Sequence, residues 1–184
     1  MATSSRLDVL ANALDDGVGI SLAAHGFIKA KRTVDKSSIS LIFRRADSYL
    51  QLGASFDHRD APFTLLCALG VGTHEWPDTD WNKVALWRIV RTAEPHAEES
   101  LLAGFSYSAE AGVADFERLS QKCWSAIQRY AAAFLDGDLT LVKKIRAEVN
   151  AQREPYKVVS RGPDGSLQSR ADQASELLRR KYMQ

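Results

Sequence analysis

The chain has 184 residues, of which 45% are hydrophobic and 26% charged, values typical of one folded domain and not of a disordered chain. The net charge of +1 argues against a protein that binds nucleic acid through bulk charge. No run of about 18 apolar residues occurs, and no apolar run follows the first residues, so we expect neither a membrane span nor a signal peptide. The expected location is the cytoplasm.

The first predicted element is a helix. Apolar residues recur at spacings of three and four, the period of one buried helix face, at Leu7, Leu10, Ala11, Leu14, Val18 and Leu22. Gly17 and Gly19 weaken the middle of this pattern, because glycine is a poor helix former. Gly26 is a suitable residue to end the helix.

Four segments with strand periodicity follow, at 27–34, 39–43, 49–56 and 63–71. Short connections between them favour antiparallel meander pairing. The last segment is apolar at nearly every position, which predicts a strand buried on both faces. Residues 85–92 fit either a further strand or a short helix.

Two helices are predicted next. A continuous apolar stripe indicates one long helix, at Val113, Phe116, Leu119, Cys123, Ile127, Tyr130 and Phe134. Asp136-Gly137 should end it, and Asp138 can cap a second helix that runs to about Arg153. So short a link predicts an αα-hairpin. An extended stretch around 162–165 and a last basic helix over 169–182 complete the chain.

This order predicts an α+β fold: an N-terminal helix, an antiparallel meander sheet of about four or five strands, and a C-terminal αα-hairpin covering one sheet face. The predicted domain is 1–153, followed by a basic extension, 154–184. Charge is unevenly distributed: residues 1–139 hold 14 Lys and Arg against 18 Asp and Glu, whereas residues 140–184 hold 10 against 5. The basic end is either a solvated tail or a contact surface.

The cysteines and the known motif spacings decide what the sequence predicts about catalysis and metal binding. Cys67 and Cys123 each lie in an apolar pattern, which predicts two buried free thiols and no disulfide. The sequence lacks the Cys and His spacings of zinc sites, a phosphate-binding glycine loop and a serine nucleophile elbow. We therefore predict no catalytic, cofactor-binding or metal-binding residues, and no cofactor.

One segment is unusual in composition. Tryptophans and carboxylates are concentrated at the loop after the fourth strand segment, and the predicted partner-binding residues there are His74, Glu75, Trp76, Asp78, Asp80 and Trp81. Trp87 lies a little beyond. Tryptophan often anchors protein interfaces, and the carboxylates could receive a basic partner. The alternative is that the rings cover the core, with their indole N–H groups bonded locally.

The beginning of the chain resembles a known family. The segments His25-Gly26-Phe27-Ile28-Lys29 and Ile39-Ser40-Leu41-Ile42-Phe43-Arg44-Arg45 resemble those of the bacterial domain of unknown function 4304 family. In layout the resemblance covers residues 7–150, and in motif about twenty residues. It implies a helix, a meander and closing helices, and a role as an immunity protein against the toxins of competing bacteria. It implies no catalytic residues, and the basic C-terminus does not belong to the pattern.

The leading hypothesis is a non-catalytic domain of immunity or regulatory type that binds another protein. One alternative is an enzyme or small-molecule-binding protein with a pocket between sheet and helices, using Asp57, His58 and Arg59. Another is a nucleic-acid binder acting through residues 143–181. Neither a nucleic-acid partner nor a membrane is expected, and the sequence does not decide the oligomeric state.

Overall fold

A computed structural model describes residues 3–55, 63–72, 83–97, 101, 104–108, 110–153, 159–161 and 167–169. The chain divides into two compact units, Met1–Arg146 and Ala147–Gln184. The predicted boundary between residues 153 and 154 stays a prediction.

The N-terminal helical run has three parts: helix α1 (Thr3–Leu14), a π-turn (Asp15–Gly19) and helix α2 (Ile20–Ala24). All six residues of the predicted apolar stripe are fully buried, which confirms the facing of this helix. The two glycines that weaken the pattern lie in the π-turn. Gly26 ends the run with a positive φ of 79°, a conformation that glycine adopts without strain.

The sheet is antiparallel and five-stranded, which confirms the predicted α+β class. Its spatial order is β1-β2-β3-β5-β6, with the strands β1 (Ile28–Val34), β2 (Ser38–Arg45), β3 (Ser48–Ser55), β5 (Leu66–Val71) and β6 (Lys83–Ala85). A separate two-stranded ladder pairs β4 (Phe63–Thr64) with β7 (Ser106–Tyr107).

The prediction of one strand over residues 63–71 was wrong in its continuity. The chain leaves the first ladder at Leu65, whose N–H donates to the carbonyl of Phe105 at 3.0 Å, and enters the main sheet at Leu66. The prediction of burial on both faces is correct for the middle of β5, where Cys67, Ala68 and Leu69 are all buried, but Leu66 at its start is exposed.

The later helices are α3 (Leu86–Ala93), α4 (Val113–Tyr130), α5 (Ala132–Leu135) and α6 (Thr140–Arg153). The region that fitted either a strand or a helix is thus mainly helical. Asp138 stands at the start of α6 as predicted, since its Oδ1 accepts the N–H of Thr140 at 2.8 Å. A small ladder of β8 (Val159–Arg161) and β9 (Leu167–Ser169) follows. The predicted last helix lies, beyond Ser169, outside the described residues.

The long helix predicted to reach Phe134 is divided at Ala131. In one continuous helix, successive side chains point about 100° apart. After the break, the adjacent residues Phe134 and Leu135 are both buried. Val113, predicted on the buried stripe, is 57% exposed, because it is the first residue of α4 and lies at the helix end.

The core lies between one face of the sheet and the helices. Phe43, Leu50 and Leu69 are cross-strand neighbours on that face. All three are buried. Helices α1 and α4 pack against each other over this face. The fold therefore places α4 between the core and the surface, with one side of the helix exposed.

A close contact joins the π-turn to α4. A Cβ added to Gly17 would overlap the Oγ of Ser120, so only glycine permits this approach. Ser120 is 1% exposed. Its Oγ finds no hydrogen-bond partner within the part of the chain that the structure describes. A buried hydroxyl without a hydrogen-bond partner destabilises the fold. Removing the Ser120 hydroxyl would therefore break no hydrogen bond among the described residues.

This contact predicts opposite results for two alanine substitutions. Gly17→Ala should lower the free energy of unfolding by about 1 kcal/mol or more, because overpacking outweighs the better helix propensity of alanine. Ser120→Ala should stay within about 0.5 kcal/mol of wild type or be more stable. In urea melts the double variant should recover most of the Gly17→Ala loss. Additive effects of the two substitutions would contradict the contact.

Candidate functional site

The predicted partner-binding residues, His74, Glu75, Trp76, Asp78, Asp80 and Trp81, lie outside the described residues, as do Asp57, His58 and Arg59. The structure therefore leaves both hypotheses as predictions. Trp87, the next aromatic residue along the chain, is described.

Trp87 lies in the first turn of α3 and is half-buried. The guanidinium carbon of Arg88 lies 4.5 Å from the centroid of its ring, and that of Arg91 lies 5.7 Å away. Cation–π contacts of this kind hold an aromatic ring in place while leaving part of it accessible. Beside the ring is a small cavity of about 230 Å³, which we call the Trp87 pocket, lined by Thr64, Leu65, Leu66, Cys67, Leu86, Trp87, Leu101 and Phe105.

The Trp87 pocket is mainly apolar, and Leu66 beside it is 40% exposed. Tryptophan and arginine are among the residue types that most often anchor a protein partner, and both lie here. The exposed leucine adds apolar surface beside them. Burial of an aliphatic side chain here would remove apolar surface from water on both partners.

A larger groove runs along the exposed side of α4. It has a volume of about 670 Å³, and we call it the α4 groove. One wall is the helix itself, which contributes Arg118, Gln121, Lys122, Ser125, Arg129 and Tyr130. The other wall comes from the preceding chain, which contributes Glu94, Ala97, Leu101, Gly104 and Phe105. One wall is therefore rich in cations, whereas the other is largely apolar.

The cations share one side of α4 because of their spacing. Arg118, Lys122, Ser125 and Arg129 are separated by four, three and four residues, so they lie above one another on the helix. Among the described residues, the groove lining holds three cations and the carboxylate of Glu94. Asp115, which binds Arg118, lies beside it, so these described charges sum to +1.

Two carboxylates hold the arginines in position. Arg118 donates to Asp115 Oδ1 at 2.6 Å, and Arg129 donates to Glu94 Oε1 at 2.6 Å. The other oxygen of Glu94 accepts the Tyr130 hydroxyl at 3.1 Å. The hydrogen bond from Arg129 is the main reason why the pKa of Glu94 is lowered. This carboxylate is therefore charged at neutral pH. Lys122 has no ion partner among the described residues.

Asp115 also fixes the start of α4. Its Oδ2 accepts the N–H of Gly112 at 2.9 Å. That bond, followed by the bond from Arg118, lowers the pKa of Asp115. The first turn of the helix and the first cation of the groove are thus held by the same side chain.

The Trp87 pocket and the α4 groove adjoin, because Leu101 and Phe105 line both. The arrangement supplies cations, which can hold carboxylates, beside an apolar recess, which can hold a hydrocarbon side chain. Sequence reasoning missed this site. The cation spacing on α4 was available as a signal, but an exposed helix face is usually charged, and nothing local in the sequence pairs it with residues 94–105.

The residues that carry the family resemblance meet at one structural point. Arg45 donates to the carbonyls of His25 at 3.0 Å, of Phe134 at 2.8 Å and of Leu135. Its guanidinium carbon also lies 4.5 Å above the ring of Phe27. The carbonyl ends of two helical segments therefore share one arginine, an arrangement that satisfies acceptors that helices leave open. This role is structural.

Lys29, the last residue of the first motif, is also accounted for by the fold. It donates to Asp15 Oδ2 at 3.0 Å, and an Arg32 nitrogen lies 3.7 Å from the same oxygen. The Asp15 side chain is only 11% exposed. The ion pairs join the π-turn to the edge strand β1, where charged side chains also discourage pairing with another chain.

The two cysteines are free and buried, as predicted. The structure adds that they are in contact, Cys67 from β5 and Cys123 from α4. Their mutual hydrogen bond, followed by burial, raises the pKa of the Cys67 thiol well above its ordinary value.

We therefore expect neither thiol to react quickly in the native protein, because the thiolate is the reactive form and both sulfurs are shielded. Titration with a chromogenic disulfide reagent at about pH 8 should label neither residue until denaturant is added. Rapid labelling of one cysteine in the folded protein would show that the contact between β5 and α4 opens easily.

Over the described ranges no helix is both long and apolar enough to cross a bilayer. The same residues bring together no group of three or more His, Cys, Asp or Glu side chains suited to a metal ion. No protein-family model, curated protein or solved structure matches the chain.

Proposed function

We propose that this chain is a non-catalytic protein-binding domain of immunity or regulatory type, and that its partner occupies the Trp87 pocket together with the α4 groove. The observation that carries the proposal is that the two recesses lie side by side and share Leu101 and Phe105. Protein interfaces commonly combine an apolar centre with a polar rim. The Trp87 pocket supplies the first and the cations of α4 supply the second.

The energetics of such a surface favour binding by a few anchors. Trp87 is already held by Arg88 and Arg91, so it has little conformational freedom to lose when a partner covers it. Arg118 and Arg129 are likewise held by carboxylates before any partner arrives. Preorganised groups of this kind raise affinity because the cost of ordering them has been met by folding.

The residues predicted from the sequence remain within this proposal. His74 to Trp81 immediately precede β6 and α3, the elements that lead into Trp87. A partner that reached both would use the predicted tryptophans as additional anchors. The resemblance to the bacterial family is what suggests the immunity type.

We further propose that the domain acts in the cytoplasm. In an oxidising compartment, two thiols in direct contact would tend to form a disulfide during folding. Both cysteines of this chain are free in the structure. A reducing compartment is consistent with that state.

The proposal is tested by affinity capture from native lysate, with and without nuclease treatment, followed by mass spectrometry. Four baits are compared: wild type, Trp87→Ala, Lys122→Glu and the control Lys31→Glu, which makes the same charge change on exposed β1. We expect one protein to be retained by wild type and by Lys31→Glu, and to be depleted at least tenfold on both other baits. Equal recovery on all four baits would contradict the proposed surface, and a partner lost on nuclease treatment would favour nucleic acid.

A further inference from the structure

The α4 groove has a chemistry that indicates which kind of partner segment it receives, provided that the proposed function holds. We propose that the α4 groove receives an extended acidic segment of the partner protein, in which carboxylates alternate with apolar side chains. Charge complementarity supports the acidic character, since the described lining of the groove carries a net positive charge. The carboxylates of Asp115 and Glu94 compensate Arg118 and Arg129, but none of the described residues compensates Lys122.

The state of each cation favours carboxylates as its ligands. Arg118 and Arg129 each use one nitrogen to bind their own carboxylate. A guanidinium has five N–H donors in a planar fork, so donors remain for a second carboxylate. Lys122 lies between them, is exposed, and has no ion partner among the described residues. Two oriented arginines around an unpaired lysine form a row of donors that a partner's carboxylates can complete.

The spacing of the row fits an extended chain. Four residues of helix separate Arg118 from Lys122, which is about 6 Å along the axis, and eleven separate Arg118 from Arg129, about 16 Å. Alternate residues of an extended strand are about 7 Å apart, so three alternate carboxylates lie at 0, about 7 and about 14 Å. The remaining mismatch of about 2 Å is within the reach of flexible arginine and lysine side chains.

The two walls explain why the segment should alternate. Successive side chains of an extended segment point to opposite sides. If one set faces the cations of α4, the other set faces the wall that contains Leu101 and Phe105. Those two residues also line the Trp87 pocket, so an apolar side chain of the segment would pack beside that pocket. Glu94 binds both Arg129 and Tyr130 near the end of α4.

The test is a direct binding measurement with a defined probe. A capped, dye-labelled hexapeptide that alternates glutamate with leucine is titrated with the full-length protein, and fluorescence anisotropy is recorded. The matched probe has glutamine in place of every glutamate. We expect the acidic peptide to bind at least ten times more tightly than the neutral one, and to weaken as salt is raised, because exposed charges are screened.

Two protein variants locate the site. Lys122→Glu should weaken binding of the acidic peptide at least tenfold, whereas Lys31→Glu should leave it within twofold of wild type. Both residues are exposed, so neither substitution should unfold the protein, and thermal melts confirm this. Equal binding of the two peptides, equal binding by Lys122→Glu, or no binding of the acidic peptide up to about 1 mM would each overturn the inference.

The outcome separates this inference from the proposed function. If the lysate partner is captured through Trp87 but the acidic peptide does not bind, the domain binds a protein whose contact with α4 is not acidic. If the peptide binds at α4 but no partner depends on Trp87 or Lys122, the groove has the proposed chemistry and the proposed function fails.

Discussion

Ile127→Ala should lower the free energy of unfolding by about 2–5 kcal/mol, since it removes a buried side chain and leaves a cavity. Ile127 lies on the inner side of α4 and is fully buried. The same helix carries the cations of the α4 groove on its outer side, so this substitution tests the facing of the helix on which the site depends.

The matched control is Gln128→Ala, one residue further along α4 and exposed. Its effect should stay within about 0.5 kcal/mol. Asp115 is a poor control although it also lies off the stripe, because it holds both Gly112 and Arg118. If urea melts show the two alanine variants to be equally stable, the facing of α4 is wrong.

Arg45→Met should lower the free energy of unfolding by about 3 kcal/mol, because three backbone carbonyls lose a charged donor at once. Methionine retains most of the length of the side chain, so the loss reports the hydrogen bonds more than the packing. Arg45→Lys should recover only part of it, since an ammonium cannot reproduce the planar fork of a guanidinium.

The adjacent Arg44 is the natural control for this effect. It lies in the same strand and is half-buried as well. Arg44→Met should cost less than about 1 kcal/mol in the same denaturant melts. Comparable losses for the two arginines would show that the contacts of Arg45 with the helix ends contribute little.

The sequence predicted most of the secondary structure because it is encoded by local periodicity. The buried stripe of α1 and the alternation in β2 and β3 each follow from short-range spacing. Two of the departures from the prediction lie where contacts with residues distant in sequence determine the structure. The strand breaks at Leu65 because Phe105 accepts its N–H, and the long helix breaks at Ala131, just before the carbonyls that Arg45 binds.

The candidate site was less predictable for the same reason. That Arg118, Lys122 and Arg129 share one face follows from their spacing alone. Their function as one wall of a groove depends on Glu94, Leu101 and Phe105, which the fold brings beside them from outside the helix. The tryptophans and carboxylates of the segment just before α3 predict a partner-binding loop, which lies outside the described residues.

The most direct test of the proposed function is to measure the dissociation constant of the complex between the purified partner and the Trp87→Ala variant. The control is the same measurement with Trp124→Ala. Trp124 is also half-buried, but it packs against His25, with ring centroids 5.9 Å apart, and does not line the groove or the pocket. We expect Trp87→Ala to weaken binding about thirtyfold or more, equivalent to about 2 kcal/mol, and Trp124→Ala to leave affinity within about threefold of wild type. Wild-type affinity for Trp87→Ala would contradict the proposed partner surface.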